Sequence, residues 1–499
     1  MPADDLRFGT AGLRGPVGPG GMNVDLVTRA TWAVGEWLRH HGHGGATVVV
    51  GRDARHGSAE FFAATTQVLA AAGFDVVALP GTSPTPLVAF SCRDLDAAAA
   101  IQITASHNPA ADNGYKLYGG TGSDMPGAQI VSPADVEIEA LMARAPSEIP
   151  RTSVAPDERA AAAGDRYLAR LAQRFGTSTR PLRIALTPMH GVGGPLALTA
   201  LRQAGFADVH VVAAQADPDP DFPTARFPNP EEPGATDLLL RLAADVDADL
   251  AIALDPDADR CALGIPDTGG WRMLTGDETG ALFARRLATA GGVVASSIVS
   301  GTLAAKVATA AGATSVRTLT GFKWLVRAGE PLEYAYEEAI GHCVDPDAVR
   351  DKDGIGAAVV AAQLAAELRA AGSSVGSLLD GLSATHGVHA TVGRSVRLTS
   401  TAPFMAAVRS AARRVLGGVE CALVDYAIRD DGLRTDAVEF SGASGDIAVR
   451  AVVRPSGTEP KVKVYVEVVA PPVPDVPTAR RDAAARAGQI ADELAALGG

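Results

Sequence analysis

The sequence predicts an α/β protein of several domains that ends in a smaller α+β domain. Three observations carry that expectation. The 499 residues leave room for about three domains of ~150 residues, and four are easily accommodated. Short apolar runs alternate with Ala/Leu-rich runs of helical period for most of the length, the pattern of layered α/β structure with largely parallel strands. After about residue 388 this rhythm stops, and strand segments surround one helix before a second helix ends the chain.

Strand-like runs are Ala46–Val50, Phe74–Leu79, Ala97–Thr104, Leu182–Thr187, Val209–Ala213, Leu250–Leu254 and Ser296–Ser300. Helical periodicity marks Leu26–His40, Ala59–Ala72, Asp165–Phe175, Pro195–Ala204, Asp277–Ala290 and Gly354–Ala371, each flanked by Gly, Pro or Asp. In the last hundred residues, alternation marks strands at Ser395–Leu398 and Ala448–Tyr465, with helices at Ala402–Leu416 and Val476–Leu497. Polar or Pro-rich breaks near Pro146–Pro156, Asp267–Gly270 and His386–His389 give four blocks: 1–155, 156–270, 271–388 and 389–499. The first three share a strand–loop–helix rhythm.

Composition narrows the function. With 47% hydrophobic and 20% charged residues the chain is globular, which excludes wholesale disorder, collagen and coiled coil. A net charge of -13 without a basic block speaks against nucleic acid and against an anionic membrane surface as partners. Any phosphate it binds belongs in a local pocket. Cys92, Cys261, Cys343 and Cys421 are far apart with no C-x-x-C pair, which suits a reducing cytoplasm and argues against a zinc ribbon or disulfide framework. Asp4 and Asp5 stand where a signal peptide carries basic residues, and the apolar stretch Gly354–Leu368 is interrupted by Gln363 and Glu367. A soluble cytoplasmic protein is expected, monomer or dimer. Only six lysines occur among the 44 basic residues: Lys116, Lys306, Lys323, Lys352, Lys461 and Lys463. Lysine can give up a proton where arginine cannot, so a lysine kept in an Arg-rich chain marks a place to look.

Six segments carry chemistry. Thr104-Ala105-Ser106-His107-Asn108-Pro109 follows an apolar strand and sets a hydroxyl at a loop tip, fit for a nucleophile or phosphate carrier; a plain Asn-Pro turn accounts for the same residues. Asp255, Asp257 and Asp259, with Arg260 beside them, project to one side of an extended loop after Leu250–Leu254. Such oxygen ligands suit Mg²⁺. Arg260 and Pro266 stand where an EF-hand needs Gly and Glu, and the D-x-D-x-[TV] pattern of haloacid-dehalogenase-type phosphatases fails at Asp259. Asp217-Pro218-Asp219-Pro220-Asp221 has the same spacing but no strand before it, and is read as a loop. Arg454-Pro455-Ser456-Gly457-Thr458 combines a two-pronged donor, hydroxyls and a flexible backbone suited to an anion, although a hairpin turn uses the same residues. Phe8–Gly15, with three glycines around Arg14, fits an anion or a flexible loop. Glu337-Glu338-Ala339-Ile340-Gly341-His342 is a turn with paired acids, and Asn113-Gly114-Tyr115-Lys116 holds a lysine suited to proton transfer. Together they form a kit for phosphoryl transfer, and with no Walker A loop the donor is the enzyme or the sugar itself.

The T-A-S-H-N-P, D-P-D-A-D-R and R-P-S-G-T-E-P segments, in this order, resemble the α-D-phosphohexomutase superfamily of phosphoglucomutases and phosphomannomutases over essentially the whole chain. The resemblance implies three similar mixed α/β-sheet domains and a small C-terminal α+β domain around a central cleft. It implies interconversion of hexose 1-phosphate and hexose 6-phosphate, with Mg²⁺ and a sugar 1,6-bisphosphate as activator and intermediate, sugar phosphates being the only partners. By residue match Ser106 is the phosphoserine, and Asp255, Asp257 and Asp259 hold Mg²⁺ with a phosphoserine oxygen. Arg260, Arg14, His107 and Lys116 serve charge stabilisation and proton transfer. Glu338 and His342 belong to the sugar loop, Lys323 to a cleft-lining loop, and Arg454, Ser456, Gly457 and Thr458 to a clamp on the non-reacting phosphate. Glu337 and Ile340 depart from the Gly-Glu-x-Ser-Gly-His form of phosphomannomutases, which resembles the branch containing phosphopentomutases and glucose-1,6-bisphosphate synthases. Ile340 is expected to remove a hydroxyl from beside the sugar and so relax selectivity. A Mg²⁺-dependent sugar phosphatase is the competing class.

Overall fold

The computed structural model describes residues 12–456 and 461–498. Four sheets follow one another along the chain. The first contains Leu13–Pro16 (β1), Thr47–Arg52 (β2), Asp75–Ala78 (β3), Ala99–Ile103 (β4) and Asp112–Gly119 (β5), in the order β1-β5-β4-β2-β3. β2 is parallel to β3 and β4, whereas β5 is antiparallel to β4 and β1. The second contains Ile184–Thr187 (β6), Val209–Val211 (β7), Leu250–Leu254 (β8), Cys261–Asp267 (β9) and Gly270–Met273 (β10), and repeats the scheme as β10-β9-β8-β6-β7. The third keeps its four-strand heart, β12-β11-β13-β14, from Val293–Ser297 (β11), Thr314–Thr318 (β12), Leu332–Glu337 (β13) and Gly341–Cys343 (β14). The shared rhythm of the sequence is thus a shared topology.

One connection recurs. In each of these sheets the third strand turns back into an antiparallel neighbour, and that turn carries a segment singled out above. Ser106 lies between β4 and β5, Asp255–Arg260 between β8 and β9, and Glu338 between β13 and β14. β4 and β8 are buried along their whole length, so both read as unbroken apolar runs and deliver the turns from a fixed base. One apolar core runs through all three sheets, including Val49, Leu186, Ile252, Tyr334 and the helix Gly354–Ala370. That helix is buried from Gly354 through Ala366, which explains why it is apolar all round.

The fourth sheet is antiparallel, with Val388–Arg397 (β15), Arg413–Leu416 (β16), Val419–Asp425 (β17), Val438–Ser444 (β18), Ile447–Pro455 (β19) and Lys461–Ala470 (β20) in the order β15-β20-β19-β18-β17-β16. The helix Val476–Ala495 covers it, and it has its own core around Phe404, Phe440, Val464 and Ile490. A small seam of Ile298, Val299, Tyr426, Ala437 and Val452 joins it to the third sheet.

Several expected elements differ. The helix of residues 402–416 ends at Arg409, because Gly417 and Gly418 take φ of 53° and 82° and reverse the chain between β16 and β17. Ala448–Tyr465 is two strands, and Ser296–Ser300 shifts to Val293–Ser297, where the Ser297 hydroxyl accepts the Ser300 N–H at 3.2 Å and turns the chain out of the sheet. Lys116 lies on β5, a strand that is not among the expected ones. All four cysteines are free and buried. Among the described residues no single helix is long and apolar enough to cross a membrane.

Gly276 begins the helix Gly276–Leu287, and a Cβ there would sit 1.9 Å from the Glu338 carbonyl oxygen. Gly276→Ala must therefore displace the β13–β14 turn. We expect it to lower the melting temperature by about 3–6 °C, read by scanning calorimetry.

Candidate active site

The β4–β5 turn places Ser106 at a φ of 54°, a left-handed conformation unusual for a residue other than glycine. Its N–H donates to the Thr104 hydroxyl at 2.8 Å. The hydroxyl donates to Asp255 Oδ2 at 2.8 Å and lies 3.2 Å from His107 Nδ1. Ser106 is nearly buried, and so are all three acids of the β8–β9 turn. Burial, and then Arg260 and Arg14, hold the His107 pKa well below the usual value, so its ring is neutral.

The acid cluster draws partners from β5, from the helix Thr85–Asp94 and from the segment before the helix Gly354–Ala370. Lys116 Nζ, on β5, donates to Asp257 Oδ2 and Asp259 Oδ2, each at 2.7 Å. Thr85 donates to Asp257 Oδ2 at 2.5 Å, and Lys352 lies 3.3 Å from Asp259 Oδ2. Burial and the neighbouring Asp257 and Asp259 push the Asp255 pKa well above the ordinary carboxylate range. Burial opposes ionisation of Asp257 and Asp259 as well, but Lys116, joined by the Thr85 hydroxyl at Asp257 and by Lys352 and Arg260 at Asp259, holds both below that range. Asp257 Oδ1 and Asp259 Oδ1 are buried and accept no hydrogen bond, and oxygens of the three acids lie within 4.8 Å of one another. Hard donors placed so closely fit a divalent cation such as Mg²⁺. Arg260 donates its N–H to Asp255 Oδ1 at 2.9 Å, and its guanidinium lies 3.5 Å from Glu231. Arg14, on β1, lies in the field of the same acids.

Opposite this centre, Glu338 Oε2 accepts from Ser297 at 3.1 Å and Ser300 at 2.9 Å. Glu337 accepts the Gly321 N–H at 2.7 Å, and Arg454 donates to the neighbouring Thr320 hydroxyl at 2.7 Å. Arg454 faces Lys463 across β19 and β20, and Lys463 lies in the field of Glu338 and Glu231. The Ser456 N–H donates to the Lys461 carbonyl at 2.8 Å. Gly457 and Thr458 lie outside the described residues. Lys323 sits apart from this network, its ammonium 5.7 Å from the Trp324 ring centre and in the fields of Asp135 and Arg327.

Two expectations need correction. His342 does not reach substrate: it is fully buried, its ring stacks with Tyr334 and Tyr336, and Nδ1 lies 2.7 Å from the Tyr334 hydroxyl. Burial holds its pKa at about 3. Ile340 does not stand beside the sugar either. With a φ of 54° it packs into the second sheet among Ala185, Val212 and Ala262. Its carbonyl accepts the Cys261 N–H at 3.1 Å. Sequence reasoning also missed Thr85, Lys352, Lys463, Ser297 and Ser300. The scarcity of lysine was the one signal able to find two of them.

With this geometry in hand, the comparisons with known proteins decide the family. Models of the phosphoglucomutase/phosphomannomutase family match in order: alpha/beta/alpha domain I at residues 5–147, domain II at 165–269, domain III at 275–385 and the C-terminal domain at 395–472. The chain belongs to this family. Its members are phosphomutases, intramolecular phosphotransferases, and this chain is an enzyme of that class. It is 37% identical over 462 residues to a Haemophilus influenzae protein named "Probable phosphomannomutase", covering 90% of this chain and 93% of that one. It is 32% identical over 540 residues to phosphopentomutase of Mus musculus (94% and 84%) and 30% identical over 506 residues to phosphoglucomutase of Staphylococcus haemolyticus (93% and 90%). The open form of parafusin, a phosphoglucomutase of Paramecium, shares the fold with a TM-score of 0.74 at 18% identity, covering 98% of this chain and 95% of that one.

Asp277 stands behind Glu338, accepting the Gly301 N–H at 2.7 Å and the Tyr336 hydroxyl at 3.2 Å. Burial, and then Glu338, push its pKa up to about 7 from 3.8. A folded-state pKa above the unfolded one means stability is full below pH 3.8 and falls as pH rises through about 7. Asp277→Asn removes that slope. Its melting temperature relative to wild type should climb across this window and level off above it; a constant difference would show Asp277 ionised throughout.

Proposed function

We propose that Ser106, as phosphoserine, relays the phosphoryl group of a sugar-phosphate mutase that interconverts hexose 1-phosphate and hexose 6-phosphate. The observation that carries this reading is the Ser106 hydroxyl seated on Asp255 beside two further buried acids and a neutral histidine. Phospho-Ser106 gives its phosphoryl group to the free hydroxyl of a sugar monophosphate. The sugar 1,6-bisphosphate turns end for end, and its other phosphate returns to Ser106. His107 and Lys116 are the groups placed to move the proton of the reacting hydroxyl, and Arg14 and Arg260 to offset charge on the transferring group. Asp255, Asp257 and Asp259, with a phosphoserine oxygen, would hold Mg²⁺, which supplies charge neutralisation when bound. Glu338 takes sugar hydroxyls, while Arg454, Ser456, Gly457 and Thr458 hold the phosphate that does not react. Lys323 follows Thr320 and Gly321 in the chain but stands apart from the network they join. The division of labour follows domains at 1–155, 156–270, 271–388 and 389–499, in a soluble cytoplasmic enzyme with no partner beyond sugar phosphates.

A second reading concerns the sugar. Relatives of similar identity carry phosphomannomutase, phosphopentomutase and phosphoglucomutase names, so a phosphopentomutase, or a glucose-1,6-bisphosphate synthase built on the same centre, stands beside the hexose reading. Rates on glucose, mannose and pentose phosphates with one bisphosphate activator decide between them. Steady phosphate release to water at turnover rates would favour a phosphatase.

Ser106→Ala should lose more than about 99% of mutase turnover while melting as the wild type does, since losing the nucleophile costs several kcal/mol of barrier. Intact-mass analysis should show a phosphorylated fraction that the variant lacks. EDTA should silence the wild type, and Asp257→Asn should raise its Mg²⁺ requirement; activity that survives EDTA refutes the metal assignment.

A further inference from the structure

We infer that Arg55 is the positioning residue of the Ser106 loop, an inference that rests on Ser106 being the phosphoryl carrier. Arg55 follows β2 and is nearly buried. Its two terminal nitrogens carry four N–H groups, and four backbone carbonyls of one loop accept them. One nitrogen donates to Pro109 at 2.8 Å and Asp112 at 3.1 Å. The other donates to Asn108 at 2.6 Å and to the carbonyl of Ser106 itself. The remaining Nε faces Asp53 Oδ2 at 3.5 Å, and Asp53 Oδ1 accepts the Arg55 N–H at 3.0 Å and the Ser58 hydroxyl at 2.5 Å. The guanidinium is thus fixed by its own strand end and spends its terminal donors on the Ser106 loop.

A loop that follows β7 of the second sheet completes the grip. Phe222, nearly buried and at a φ of 46°, sets its ring centre 4.9 Å from the Arg55 guanidinium carbon. It belongs to the Asp-Pro loop that the sequence offered as a metal-site look-alike. One residue earlier, Asp221 lies 2.7 Å from His56 Nε2. That loop is therefore a brace on the Arg55 corner. The left-handed backbone at Ser106 persists only if its surroundings over-determine it, and a planar fork bonded to four carbonyls from Ser106 itself to Asp112 supplies that constraint. Lysine presents three donors on one nitrogen and cannot span the same four acceptors.

The test uses the full-length enzyme, with glucose 1,6-bisphosphate as phosphoryl donor and rapid-quench intact mass to follow uptake at Ser106. Arg55→Lys should slow uptake and kcat by about 10- to 100-fold, the scale of a ~1 Å misplacement, while KM for the sugar phosphate changes by less than about threefold. Arg55→Ala should be slower still, and millimolar guanidinium chloride should restore it severalfold without speeding the wild type. Phe222→Leu, which keeps an apolar side chain but removes the ring face, should slow uptake by a smaller factor with an unchanged melting temperature. Should Arg55→Ala fail to fold, the lysine and leucine variants decide. Uptake by Arg55→Lys within twofold of wild type would overturn the inference, as would a loss in KM alone. Wild type that takes up no phosphate at Ser106 would overturn the carrier reading itself, a separate result.

Discussion

Three carboxylates buried on one turn are the constraint around which this chain is arranged. Charges removed from water are tolerated only where opposite charge and hydrogen bonds meet them, and stripping one partner from a buried set costs roughly 3–5 kcal/mol. No single sheet of this chain supplies enough cations. Lys116 comes from the first sheet and Lys352 from the approach to the helix Gly354–Ala370, while the Arg260 guanidinium, from the turn itself, acts on Asp255 and Asp259 through its field. Tyr118 and Tyr167 reach Asp351 and Asp353 on either side of Lys352, at 2.7 and 2.6 Å, fixing the segment that carries it. The continuous core of the first three sheets is the mechanical counterpart of this charge balance.

The fourth sheet stands outside that balance. It has its own core, a narrow apolar seam, and polar ties such as Glu467 to the Thr302 N–H at 2.7 Å. Two long cations, Arg454 and Lys463, occupy paired positions on two of its central strands, and Arg454 reaches the Thr320 hydroxyl beside the third sheet. Such side chains reach across a gap that backbone need not close.

What was legible in the sequence follows from burial. β8 is covered on both faces, so its apolar run marks its ends without error. β5 was missed because Asp112, Asn113 and Lys116 make it look like loop, yet its polar groups are buried and paired: Asn113 with Ser58 at 2.9 Å, Lys116 with the acids. β16 and β17 were hidden by arginines that mimic a helix surface and by a Gly-Gly reversal. In the site, contiguous segments were readable because one turn holds their parts together. Thr85, Lys352 and the Ser297–Ser300 turn arrive from three separate elements, and nothing in their own segments marks them. His342 was misassigned because spacing along a strand does not say which face is covered, and here the covered face is a stack of tyrosines.

The burial of Ile340 in the second sheet bears on how such an enzyme changes its preference. The turn that presents Glu338 is tied by backbone bonds to Cys261, and Gly341 is bridged to Arg260, next to the acids. A substitution in that turn would therefore also shift the backbone next to the three acids, so the two segments cannot change independently. Thr320 and Gly321 meet the same cleft through a single contact to Glu337 and one to Arg454. A change at Thr320 acts on Arg454 through one side-chain hydrogen bond rather than through the backbone that carries the acids.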